Sequence, residues 1–289
     1  MSKKIAFLLD TGSSYPPYDS DCYVLPMVIN VTDDSKKDTS YFDNENLTRQ
    51  ELNGFLDKNL KMSTSQPIIG MIFDKLEELY KNYDLVIAIP LSKYLSSAYS
   101  TILSLKQEFG EDKLLVADIN AMSISGNWFV KQVKEYLTKN DNEISQESLD
   151  KLAEHARAKT CGAVIVTDTQ QLINGGRLKG VKGLIAKTLK LKLIVKFQGN
   201  LEFAAKDKTL EGAIDKTLDL IDEQIHFRKN GIKNVTILAD LRDEKANLKF
   251  YEYAKKQIGV NIEFSTALLP GCVIVHTGRD TFSILIESK

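Results

Sequence analysis

Short apolar runs alternate with amphipathic stretches through the first half of the chain. Residues 5–9, 23–29, 85–89 and 114–117 are nearly continuous apolar segments of strand length, and such runs are expected of strands buried on both faces. Between them the spacing turns helical. Thr48 and Glu51 make a capping-box pattern ahead of Leu52, Phe55, Leu56 and Leu60, which share one helical face. Pro67 suits a first helical turn, and Ile68, Ile69, Ile72, Phe73, Leu76, Leu79 and Tyr80 follow at helical intervals. Further helices are expected over 98–109, stopped by Gly110, and over 127–137 and 149–158, with the polar 138–146 stretch as a surface loop. This alternation predicts a largely parallel sheet covered on both faces, with ligands drawn to the carboxyl ends of its strands.

The second half has a different texture. Residues 163–167, 191–197, 235–239, 271–276 and 282–286 read as strands, and a long helix is expected near 210–227. Two strands close together at the C-terminus predict a mixed or antiparallel sheet. The expected fold class is therefore α/β with two domains. Residues 1–160 form a doubly wound, mostly parallel sheet domain, and residues 161–289 form a second α/β domain with a mixed or antiparallel sheet.

Composition narrows the choice of partner. The 38 basic and 39 acidic residues leave a net charge of -1, so no broad field exists to hold nucleic-acid phosphates or anionic lipid, and any ligand must be chosen by a local site. No apolar run approaches the roughly 18 residues of a membrane span, and the stretch behind Met1-Ser2-Lys3-Lys4 is too short for a signal peptide. The expected location is the cytoplasm, with no integral membrane segment. Cys22, Cys161 and Cys272 are odd in number, far apart and outside any CxxC pair, which predicts reduced, buried thiols and no zinc site.

Four polar clusters fall at or just after expected strands. Asp10-Thr11-Gly12-Ser13-Ser14 is a turn that either receives an anion on its hydroxyls and amides or is capped by Asp10. Ser63-Thr64-Ser65-Gln66-Pro67 precedes a helix N-terminus, whose partial positive charge suits a carboxylate or phosphate unless the hydroxyls cap the helix themselves. The 92–99 segment carries Ser96 near the carboxyl edge of the sheet. Residues 271–278 read as a strand delivering His276 into a turn with Thr277 and Gly278.

Taken in order, these pieces resemble the DegV family of fatty-acid-binding proteins over nearly the whole chain. The opening strand with Asp10-Thr11, the Tyr41-Phe42-Asp43 segment, the intact Thr64-Ser65-Gln66-Pro67 motif, Leu95-Ser96-Ser97-Ala98-Tyr99 for Leu-Ser-Gly-Thr-Tyr, Val116-Ala117-Asp118 with the turn 123–126, Asp168-Thr169 with Gly175-Gly176-Arg177, and His276-Thr277-Gly278 carry the likeness. The resemblance implies a fatty-acid tunnel between the two domains, and a separate ATP-dependent kinase subunit that supplies ATP and metal and converts the bound carboxylate to an acyl phosphate. The chain itself would be a carrier with no catalytic residue, no metal and no cofactor of its own. By the same resemblance Thr64 and Ser96 donate to the carboxylate with His276 in the network, Ser65, Thr277 and Gly278 lie close by, and Arg177 and Lys208 dock the kinase. Departures from the pattern are Ser97 and Ala98 for Gly-Thr, Arg279-Asp280 for Pro-Gly, Leu193 for a proline, and Lys208 for an arginine.

Two rival readings stand beside this one. Ser96 and His276 with an aspartate could form a serine acyl hydrolase, although no Gly-x-Ser-x-Gly elbow is present. The chain could instead be an interaction protein without a ligand.

Overall fold

The computed structural model describes residues 3–13, 19–167, 171–172, 191–240, 244–259, 262 and 264–289. They form two compact units, one made of Met1–Arg49, Thr64–Arg157 and Pro270–Cys272, the other of Gln50–Ser63, Ala158–Leu269 and Val273–Lys289.

In the first half the elements are β1 (Ile5–Asp10), β2 (Cys22–Leu25), β3 (Val28–Thr32), β4 (Asp38–Phe42), α1 (Arg49–Asp57), β5 (Lys61–Ser65), α2 (Ile69–Leu79), β6 (Leu85–Ile89), α3 (Ala98–Ser104), α4 (Lys106–Phe109), β7 (Leu114–Val116), α5 (Ser125–Lys139) and α6 (Gln146–Lys159). Four strands make a fully parallel sheet of order β2-β1-β6-β7. Side chains alternate across it, as the strand period of two requires. Phe7, Leu9, Ile87 and Ile89 join Phe129 and Val133 of α5 and Leu149 of α6, whereas Ala6, Leu8, Val86 and Ala88 join Ile72 and Leu76 of α2 and Ile102 of α3. With both faces covered, every position of β6 is buried, which is why its sequence is an unbroken apolar run. The strand order reverses between β1 and β6, and the crevice outside their carboxyl ends is the position where doubly wound sheets place ligands.

The expected single strand over 23–29 is two strands in different sheets. Pro26 lacks the N–H a continuing ladder requires. Leu25 O accepts from Thr11 N at 2.9 Å, the Met27 N–H turns to Thr11 Oγ1 at 3.0 Å, and β3 then pairs antiparallel with β4. The helix expected over 98–109 is divided at Leu105 into α3 and α4, and Gly110 ends it at φ 106° as anticipated. Pro67 lies outside α2, whose first flanking residue is Ile68.

The second half contains β8 (Thr160–Val166), β9 (Lys192–Gln198), β10 (Asn200–Asp207), α7 (Leu210–Ile225), α8 (Phe227–Asn230), β11 (Ile232–Asp240), α9 (Glu244–Ile258), β12 (Ser265–Leu268), α10 (Gly271–Thr277) and β13 (Thr281–Ser288). Its sheet has the order β10-β9-β8-β13-β11-β12, antiparallel except for the β11–β12 pair, so the expected mixed sheet is present. Ala213, Ile214, Leu218 and Ile221 of α7 pack against Ile165, Ile194 and Ile284. The α7 N-terminus is capped by Thr209, whose Oγ1 accepts from Gly212 N at 3.0 Å. Residues 271–276 are helical, which corrects the expected strand. Asp43 supplies an acceptor at the start of α10 and Gly278, at φ 75°, ends it.

Candidate functional site

Asp10 closes β1 and ties it to the chain leaving β6. Its Oδ1 accepts from the backbone N–H of Gly12 (3.0 Å) and Ser13 (2.9 Å), and its Oδ2 from Leu91 N (2.8 Å). Ser13 Oγ lies 2.8 Å from Ile89 O, to which it donates. Burial pushes the Asp10 carboxyl up to about 6, against the opposing pull of these donors. The turn thus binds its own aspartate, and of the two readings offered for the 10–13 segment the Asp10-capped turn is the one present. Ser14 lies outside the described residues.

The neighbouring loops are fastened to this knot. Ser92 N donates to Ala121 O at 2.9 Å, Ser123 N to Gly12 O at 2.6 Å, and Gly126 N to Ser13 O at 3.1 Å. A Cβ at Gly126 would sit 2.3 Å from Ser13 O, so only glycine permits that approach. Asp118 is held by Lys93 Nζ at 2.7 Å, and its carbonyl accepts from Arg157 Nη1.

Ser96 stands on the loop between β6 and α3. Its backbone N–H donates to Ser92 O at 3.0 Å, and its Oγ accepts from Ala98 N at 3.2 Å. Among the described residues no acceptor takes the proton of this half-buried hydroxyl. The two departures beside it are readily accommodated. Ser97 has φ -78°, a conformation that does not require glycine, and Ala98 is fully buried.

Thr64 and Ser65 end β5 and are not capping residues. The α2 N-terminus has Ile68 at its cap position with no side-chain hydrogen bond, so the helix-capping alternative for these hydroxyls is corrected. Thr64 is half-buried, while exposed Ser65 accepts from Asn30 Nδ2 at 3.2 Å through its Oγ. Thr101 Oγ1 donates to Gln66 Oε1 at 2.9 Å, which brings the Thr64-Ser65-Gln66 segment against the helix that follows Ser96.

Asp43 is a structural residue whose role the sequence did not disclose. It is buried, its Oδ2 accepts from Cys272 N at 3.1 Å, and burial raises its pKa. A Cβ at Gly271 would lie 2.2 Å from Asp43 Oδ1, so the glycine makes room for this carboxylate.

His276 is half-buried near the end of α10 and belongs to the second unit. Thr277 Oγ1 donates to Val273 O at 3.2 Å and Gly278 N to Ile274 O at 2.8 Å, so both residues serve the helix end. Arg279, in place of the family's proline, donates to Asp57 Oδ2 at 3.1 Å, and Asp280 adopts φ 57°. Lys208 is exposed between β10 and α7. Arg177, with Asp168, Thr169, Gly175 and Gly176, lies outside the described residues. Among the described residues no cluster of three or more His, Cys, Asp or Glu could hold a metal ion, and no helix is long and apolar enough to cross a membrane.

Residues 4–289 match the model of a family described as an uncharacterised protein family, DegV. The chain belongs to the DegV family. It is 41% identical over 219 residues to the DegV domain-containing protein UU190 of Ureaplasma parvum serovar 3, covering 76% of this DegV chain and 100% of that protein. It is 28% identical over 295 residues to MG450 of Mycoplasma genitalium, covering 99% and 100% of the two chains. Among solved structures, the fatty-acid-binding DegV family protein SAG1342 of Streptococcus agalactiae superposes with a TM-score of 0.82 at 22% identity over 100% of both chains. A DegV family protein from Thermus thermophilus described by its fatty-acid binding gives 0.81 at 22% over 99% of this chain and 100% of that one. At these identities the structural likeness establishes a common DegV fold.

Proposed function

We propose that this DegV protein binds one long-chain fatty acid, with its carboxylate held by the hydroxyls of Thr64 and Ser96 and with His276 in the same hydrogen-bond network. The observation that carries the reading is Ser96 at the carboxyl edge of the sheet, whose Oγ accepts from Ala98 N and whose proton no acceptor among the described residues takes. The α2 N-terminus, beside the Thr64 segment and without a side-chain cap, adds partial positive charge at that edge. Structural relatives from Streptococcus agalactiae, Thermus thermophilus and Bacillus subtilis are described as fatty-acid-binding, and one from Eubacterium ventriosum as binding stearic acid. The assignment of His276 rests on the family pattern alone.

Energetics assign affinity to the tail and register to the hydroxyls. Each buried methylene contributes roughly 0.8 kcal/mol, and a chain of about sixteen carbons on the order of 10 kcal/mol gross. A hydrogen bond to a charged group contributes about 2 kcal/mol. The hydroxyls hold the acidic end where the solvent can reach it instead of letting the acid slide inward.

In this reading the protein is a cytoplasmic carrier and not an enzyme. It presents the carboxylate to a separate kinase subunit that brings ATP and metal and forms the acyl phosphate, with Arg177 and Lys208 on the docking surface. The buried, unpaired thiols of Cys22, Cys161 and Cys272 suit a reducing compartment. Solvent extraction of the purified protein followed by mass spectrometry tests the binding step, and a fatty-acid-free extract that also takes up no added fatty acid rejects it. Addition of the protein to an equimolar fatty acid kinase tests the presentation step, which is refuted by absence of turnover. The serine hydrolase alternative predicts covalent labelling of Ser96 by a fluorophosphonate, and the carrier reading predicts none.

A further inference from the structure

We propose that the loop after β7 encloses one water bridging the Ser123 hydroxyl and the Asn120 side-chain oxygen, and that Ser123 thereby positions Ser96. Ser123 is 2% exposed, and its Oγ is buried without a partner among the described residues. Asn120 Oδ1, in the same loop, is also buried without one. Buried polar atoms are nearly always paired, either with protein or with ordered water.

The two orphaned atoms are complementary in kind. A hydroxyl offers a proton and an amide oxygen accepts one. A water can accept from Ser123 and donate to Asn120, whereas a carboxylate, which only accepts, would face the Asn120 oxygen unfavourably. The chemistry therefore selects a neutral O–H group of water size and sets this site apart from the carboxylate site.

The backbone conformation matters for the choice of test variants. Asn120 has φ 53° and Ser123 φ 55°, left-handed conformations that glycine adopts more easily. The loop is also wired to Ser96: Ser123 N donates to Gly12 O at 2.6 Å, Ala121 O accepts from Ser92 N at 2.9 Å, and Ser92 O accepts from Ser96 N at 3.0 Å. A water that locks the loop holds the turn from which the Ser96 hydroxyl projects.

The positioning half of this inference rests on the fatty-acid reading above, and the test separates the two. Ser123→Gly, Asn120→Gly and the double variant are compared with the wild type for Tm after lipid removal, and for the ratio of affinities for a long-chain fatty acid and its methyl ester. If a water bridges the pair, each single change lowers Tm, the double lowers it little further than one alone, and the acid-to-ester ratio falls severalfold in all three. Glycine relieves the left-handed strain, so orphans without a bridge would give variants with a raised Tm, which overturns the proposal, as do additive losses or an unchanged ratio. A loss of Tm found only with fatty acid bound would make these atoms ligand contacts and overturn it as well. A wild type that does not prefer acid to ester defeats the fatty-acid reading and the positioning role together, while the Tm arm still decides the water.

Discussion

Replacing Ser96 by alanine separates the role of the hydroxyl in the fold from its role on the ligand. Within the fold, Ser96 Oγ accepts one long hydrogen bond, 3.2 Å from Ala98 N. Loss of a capping contact of this kind costs about 0.5–1 kcal/mol. For a chain of this size that lowers Tm by about 1–3 °C. In the proposed complex the hydroxyl donates to a charged oxygen, a bond of about 1.5–3 kcal/mol, so Kd for a long-chain acid is expected to rise about 10- to 150-fold. Tail burial, on the order of 10 kcal/mol, is untouched, and the variant still binds. Titration of the acid and of its methyl ester into wild type, Ser96→Ala and Ser96→Thr reads both effects. The alanine variant narrows the preference for acid over ester by the same factor, Thr64 preserves part of it, and threonine, which keeps a hydroxyl, recovers most of the loss. An alanine variant with wild-type affinity and wild-type acid preference would show that the Ser96 proton never meets the carboxylate.

Other perturbations test the frame around the site. The folded-state pKa of Asp10 lies at about 6, above its unfolded value of 3.8, so the stability it confers is full below the unfolded value and is lost as pH rises to the folded one. Stability relative to Asp10→Asn therefore falls by about 2 kcal/mol between pH 4 and 6, measured by urea unfolding, and a flat difference across that window refutes the assignment. Gly126→Ala places a Cβ 2.3 Å from the Ser13 carbonyl, a backbone atom with little room to move, and is expected to destabilise by about 3 kcal/mol or more. Gly271→Ala meets the Asp43 carboxylate at 2.2 Å and displaces it from Cys272 N, with an expected loss of about 2 kcal/mol by thermal unfolding. Arg279→Ala removes an ion pair whose Asp57 partner is about half exposed, and Tm should change by no more than about 2 °C.

The parts of the fold legible in the sequence are those whose burial is symmetrical. β1, β6 and β7 are covered on both faces and appear as uninterrupted apolar runs, and α2 shows its single buried stripe at Ile72, Leu76 and Leu79. β4 and β10 escaped notice because half or more of each strand is at least partly exposed and polar, as in Asp38-Thr39-Ser40 and Lys206-Asp207, so neither gives an apolar run. α10 is illegible in the sequence for a different reason. Its Val273-Ile274-Val275 core has strand propensity, and the helical choice is made by a distant residue, Asp43, at its first turn and by Gly278 at its end.

For the site, family motifs mark two kinds of residue without distinguishing them. Asp10, Asp43 and Gly126 belong to the motif segments and build the frame, as does Gly271 just before the last of them: the carboxylates are satisfied by backbone N–H groups, and the glycines leave room for a neighbouring oxygen. Ser96 belongs to a motif for another reason, since after its oxygen has taken Ala98 N it still holds a proton to give. Hydrogen-bond accounting makes the separation that a motif match does not. A side chain whose capacity is met within the chain serves the frame, and a partly buried donor with capacity left over is available to water or to a ligand. The same accounting explains why departures from the family pattern are tolerated here: Ser97 occupies a backbone conformation open to any residue, and Arg279 finds its own partner in Asp57. Neither change alters the donor inventory of Ser96, and that inventory is the property a carboxylate would read.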